Sequence, residues 1–156
     1  MVIDNIQYNT TPGTNTAVVW SYNTLCSGDV VIPSSIVYNG TTYTVNELYM
    51  SAFDGNTAIT SVVVPNTVTK INNYAFYGCS ALKSIDFGTG AFDFKNELIE
   101  GCTSLTDIYV GYPSGFTVYG KTFNADIKKN VNLHMSSAAT ITEFLGLNNY
   151  WNGFKM

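Results

Sequence analysis

Between Leu48 and Val110 the apolar and polar residues of this chain fall into the same columns every 23 positions. Leu48, Ile71 and Phe94 align, as do Ala52, Ala75 and Leu98, and then Phe53, Phe76 and Ile99. Gly55, Gly78 and Gly101 follow, then Asn56, Cys79 and Cys102, then Ile59, Leu82 and Leu105. The register closes on Val62, Ile85 and Ile108 and on Val64, Phe87 and Val110. A fixed period in the twenties marks a solenoid, in which each repeat is one coil and stacked coils bury one another's apolar columns.

Each repeat divides into two pieces. Ser61 to Pro65, Ser84 to Gly88 and Asp107 to Gly111 alternate apolar and polar residues, the period of a strand with one buried face. Stacked, these strands predict a parallel sheet. The stretch Asn73 to Leu82 spaces Ala75, Phe76, Cys79 and Leu82 by three and four, which predicts a turn or so of α or 3₁₀ helix held by stacking. A minor strand is expected around Thr69 to Ile71.

Residues 1–44 have another rhythm, with short apolar runs between turn residues. Ile36 to Tyr38, Asn39-Gly40 and Tyr43 to Val45 read as a β-hairpin with a tight turn. Solenoids expose an apolar coil at each end unless something covers it, so this segment is expected to be an N-terminal β-hairpin cap. The repeats then occupy 45–135, the last one degenerate around Val118, Phe123, Val131 and Leu133. Residues 136–156 are expected to form a C-terminal cap with a short helix near Ala138 to Leu147, plugged by Tyr150, Trp151 and Phe154. The whole reads as a single domain.

Composition narrows the function. Hydrophobic residues make up 46% and charged residues 12%, which excludes intrinsic disorder. Seven lysines, no arginine and eleven carboxylates give a net charge of −4, and the largest basic cluster is Lys128-Lys129. That is no footprint for nucleic acid. No apolar run reaches the roughly 20 residues that span a bilayer, and Met1 to Asp4 does not open like a signal sequence.

Candidate chemistry is sparse. Cys79 and Cys102 share a column and should lie about 5 Å apart if coils stack at strand spacing, within disulfide reach. Buried core-filling thiols are the favoured alternative. No Cys/His spacing supports zinc, and the carboxylates Asp54, Asp86, Asp93, Glu97, Glu100 and Asp107 occupy mostly different columns, so no metal or other cofactor is expected. His134 is the sole histidine; hydrolysis would need it beside a nucleophile and an orienting acid, and no motif supplies them. No catalytic residue is assigned.

The lines INNYAFYGCSALKSIDF and LYMSAFDGNTAITSVVVP resemble the BspA-like leucine-rich repeats, whose motif runs through Ala-Phe, a small residue and Cys to a closing Ile-x-Ile-Pro. The lead-in GDVVIPSSIVYNGTTYTV and the tail YWNGF are similar to segments that flank such repeats. The resemblance implies a leucine-rich-repeat right-handed coil. It also implies a noncatalytic, secreted or cell-surface interaction module of the adhesin type, binding a protein partner such as a host surface or matrix protein. Tyr49, Asn72 and Lys95 stand where that family usually has glycine, which leaves the backbone of this turn undetermined by the motif. Alternation puts Ser61, Val63, Ser84, Asp86, Asp107, Tyr109, Asn130 and Asn132 on the outward side of the strands, the expected ligand-facing ladder. Glycan binding through exposed tyrosines, among them Tyr74, Tyr77, Tyr112 and Tyr119, is the alternative.

Overall fold

The computed structural model describes residues 1–90, 95–111 and 131–135. Five strands, β4 (Gly28–Val31), β7 (Ile59–Val63), β9 (Ser84–Asp86), β10 (Asp107–Val110) and β11 (Asn132–Met135), pair side by side in that order, every pair parallel. Their inward positions Val30, Val62, Ile85, Ile108 and Leu133 are in register across the sheet. A second, mixed sheet runs β1 (Val2–Ile3), β2 (Ile6–Thr10), β3 (Thr16–Val19), β6 (Thr41–Leu48) and β5 (Ser35–Tyr38), with β8 (Lys70–Ile71) also on β6. Here Val19, Leu48 and Ile71 are the stacked inward residues.

The core lies between the two sheets. Phe53 and Phe76, one coil apart, stack with ring centroids 5.4 Å apart, and Phe76 meets Phe87 edge-on at 6.2 Å. Leu48, Ile71, Ile85 and Ile108 are completely buried around them. Full burial of each such side chain contributes roughly 1.5–3 kcal/mol, so the repeated columns carry most of the stability.

The hairpin expected at Asn39-Gly40 is present as β5 and β6, with both turn residues at positive φ (50° and 75°), as a tight two-residue turn requires. The coil path also extends upstream of the repeats. Val19 pairs with Leu48, the Asn23 amide donates to the Ala52 carbonyl at 2.8 Å, and β4 lies on β7. Residues 19–32 therefore trace a coil of their own.

The short helical turns expected in each repeat do not form: no helix occurs among the described residues. Stacking takes the hydrogen bonds a helix would need. The amides of Ser51, Phe53 and Gly55 donate upward to the carbonyls of Asn73, Ala75 and Tyr77 in the next coil. The alternating amides of Ala52, Asp54 and Asn56 instead close tight turns on Tyr49, Ser51 and Phe53. A helix would send all of them four residues back along the same coil. Ser51, Tyr74 and Glu97 pay for this path with positive φ (58°, 62° and 52°), three residues after the opening apolar position. Tyr49 and Asn72 do not have positive φ, so no glycine is needed at either. At Gly101, φ is 81° and an added Cβ would come within 3.0 Å of the Gly78 Cα. The expected C-terminal helix and its aromatic plug lie outside the described residues.

Cys26, Cys79 and Cys102 are free, buried thiols. Cys79 Sγ donates to the Phe53 carbonyl and Cys102 Sγ to that of Phe76, both at 3.1 Å. The neighbouring Cys102 thiol and burial push the Cys79 pKa up, keeping it protonated for this bond. Asn56, in the same column, donates its Nδ2 to the Asn23 and Cys26 carbonyls at 2.7 and 2.9 Å. Its Oδ1 accepts from the Ala58 and Ile59 amides. Amide and thiol share the column because each can donate to the coil below from a buried position.

Candidate functional site

Two outward faces remain once the buried columns are set aside. On the parallel sheet, strand register brings the outward residues into two rows. One row is Asp29, Ser61, Ser84, Asp107 and Asn132; the other is Val31, Val63, Asp86, Tyr109 and His134. Seven of the eight positions expected to face a ligand lie in these rows, and Asn130 lies outside the described residues. Three members of the rows, Asp29, Val31 and His134, were not among the expected set. The signal for them was present: Val30-Val31-Ile32 precedes a proline as Val62-Val63-Val64 does, and His134 follows the inward Leu133.

The first row is largely self-satisfied. Asp29 Oδ1 accepts from the Thr60 and Ser61 hydroxyls at 2.8 and 2.7 Å, and these bonds hold its carboxyl below the usual range. Asp107 Oδ1 lies 2.7 Å from His134 Nε2 and accepts from Asn132 Nδ2 at 3.2 Å. The His134 contact leads in depressing the Asp107 pKa, with Thr106 second. Among the described residues, Asp107 is the one side-chain hydrogen-bond partner of His134.

The second row is more apolar. Val31 is 68% exposed, Val63 39% and Tyr109 41%, and the Tyr109 and His134 rings stack at 4.3 Å. An open groove of about 370 Å³ lies at the Tyr109–His134 end of the row, lined in part by Asp86, Thr89, Tyr109, His134 and Met135.

The mixed sheet presents a different outward face. Asn9, Val18, Glu47 and Lys70 align across β2, β3, β6 and β8. Directly beyond β3 and β6, Trp20 and Tyr49 stack at 4.4 Å with planes 11° apart. Lys70 Nζ is 2.8 Å from Glu47 Oε1, and the same oxygen accepts from Asn72 Nδ2 at 2.8 Å. Of the tyrosines considered for glycan binding, Tyr74 and Tyr77 meet edge-on at 5.8 Å; Tyr112 and Tyr119 lie outside the described residues. Among the described residues no group of His, Cys, Asp and Glu is placed to hold a metal, and no helix is long and apolar enough to cross a membrane.

Residues 40–144 match the family model of the BspA type leucine-rich repeat region, in six copies. The chain belongs to the BspA-type leucine-rich repeat family. The structure of a leucine-rich repeat protein from Bacteroides ovatus ATCC 8483 resembles it with a TM-score of 0.65 and 25% identity, over 90% of this chain and 42% of that one. A leucine rich cell surface protein from Faecalibacterium prausnitzii A2-165 resembles it with a TM-score of 0.64 and 20% identity, over 86% and 42%. This chain thus spans less than half of either relative's length. No curated protein matches it. The matched region contains every strand of the parallel sheet but β4, whereas the mixed sheet takes β1, β2, β3 and β5 from ahead of it.

Proposed function

We propose that this BspA-type domain is a noncatalytic, adhesin-like module of a secreted or cell-surface protein. It binds a protein partner through the outer face of the parallel sheet, by way of Ser61, Val63, Ser84, Asp86, Asp107, Tyr109 and Asn132, with Asn130 as a further candidate. The observation that carries the reading is the row of exposed Val31, Val63 and Tyr109, of which Tyr109 also lines an open groove. Val31 and Val63 lie side by side on neighbouring coils and Asp86 separates them from Tyr109; exposed apolar side chains grouped on one face mark interaction sites where scattered single residues do not. Tyr109, stacked on His134, supplies a rigid aromatic anchor of the kind that dominates protein interfaces. The surface location is supported by the likeness to the leucine rich cell surface protein of Faecalibacterium.

The test is binding of the purified domain to a panel of extracellular matrix and host cell-surface proteins by surface plasmon resonance. A Tyr109→Ala, Val63→Asp double variant should lose at least tenfold in affinity for any binder found. A panel without a binder, or a binder indifferent to both substitutions, would overturn the assignment.

A further inference from the structure

We infer that the outer face of the mixed sheet carries a second binding site, a groove for one or two rings of a neutral sugar, built around Trp20 and Tyr49. It uses different residues from the protein-docking face, so either site can fail without the other. The groove holds about 320 Å³, and Asn9, Trp20, Glu47, Tyr49 and Lys70 line it. That volume lies at the small end of the range for small-molecule sites, about 300–1,000 Å³. Val18, nearly buried between the longer Asn9 and Glu47, makes the low point of the surface.

The chemistry of the lining selects the occupant. The Trp20 and Tyr49 centroids are 4.4 Å apart with planes 11° apart, wider than the roughly 3.5–4.0 Å contact distance of carbon atoms. The stacked pair still presents ring surface to the groove, since Tyr49 is 37% exposed and Trp20 half-buried. A pyranose ring has one face of C–H groups that suits such a surface and a rim of hydroxyls that needs donors and acceptors. Asn9 offers both, Glu47 accepts and Lys70 donates. Glu47 and Lys70 are paired at 2.8 Å, so the groove has no net charge with which to favour a phosphate, sulfate or uronate. A peptide finds less to hold. β3 and β6 are interior strands whose backbone groups are spent on their neighbours, so no main-chain pairing is on offer.

Tryptophan emission tests this directly, because the chain has two tryptophans and Trp151→Phe leaves Trp20 as the sole reporter. The variant is titrated with neutral di- and trisaccharides of glucose, galactose, mannose and N-acetylglucosamine up to about 10 mM, beyond the weakest Kd of interest, about 1 mM. A saturable change in Trp20 emission with at least one sugar is expected. Tyr49→Ala should weaken it at least tenfold and Asn9→Ala about threefold, whereas Tyr49→Phe, which keeps the ring should Tyr49→Ala not fold, stays within twofold of the parent. Tyr109→Ala, on the other sheet, should change nothing. No saturable response to any sugar overturns the proposal. So does a response confined to charged sugars, or one to peptides alone.

Discussion

The two outward faces of this solenoid are made by the same stacking and end up chemically unlike. On the parallel sheet the row from Asp29 to Asn132 carries short polar side chains, and the carboxylates of Asp29 and Asp107 are engaged by groups one coil away, Ser61 for the first and Asn132 and His134 for the second. On the mixed sheet β3 enters from outside the 23-residue pattern and sets a tryptophan against the repeat's own Tyr49. Regular repetition places like beside like and yields a self-satisfied ladder. Joining a non-repeat strand to the stack is what creates a large aromatic surface with polar groups around it.

The contrast holds only if both faces belong to one cooperative core. Phe76 contacts Phe53 and Phe87 at its centre, so Phe76→Ala should cost about 3–5 kcal/mol. Urea unfolding followed by far-ultraviolet circular dichroism and by Trp20 emission in the Trp151→Phe background should give one shared transition. Two separated transitions would make the faces independent units. Next in size, Asn56→Ala strips partners from two carbonyls and two amides where the upstream coil meets the repeats. A loss of about 1–3 kcal/mol is expected, read as a lower urea midpoint. Gly78→Ala probes the turn column alone, since φ there is 68° and an added Cβ would find nothing closer than 3.7 Å. It should cost about 1–2 kcal/mol, and a neutral result would mean that the turn relaxes.

The smallest effect separates the two ends of the parallel-sheet ladder by pH. Asp107 titrates below its ordinary value because His134, then Thr106, hold its anion. A depressed native pKa stabilises the fold above the unfolded value of about 3.9, and that contribution disappears as pH falls through the lowered native value. In carbon-detected NMR titrations, His134→Ala should move the Asp107 midpoint upward while leaving Asp29 unchanged. Ser61→Ala should raise the Asp29 midpoint instead. Movement of both midpoints in either variant would show that the ladder acts as one network.

Much of this arrangement was legible in the residues. The columns from Leu48 to Val110 identified the buried positions, and alternation identified Ser61, Ser84, Asp86 and Tyr109 as outward. The turn segments misled because Ala75, Phe76, Cys79 and Leu82 satisfy helical spacing. Side-chain spacing reports which positions are buried, and a stacked turn buries the same positions as a helix while sending its amides to the next coil. The Trp20–Tyr49 face was missed for another reason. Val19-Trp20 repeats the aliphatic-aromatic pair Leu48-Tyr49, but 29 residues upstream, so a 23-residue template passes over it.

Sequence by itself determined the period, the family and the direction in which each strand residue points, because these follow from local alternation of apolar and polar side chains. Outside the 23-residue columns, which residue meets which across coils was decided by the tertiary structure. The pairings of Val19 with Leu48, Asp107 with His134 and Trp20 with Tyr49 depend on how segments of unequal length come into register. That register is set by packing the core as a whole, a sum over distant contacts that no local pattern contains.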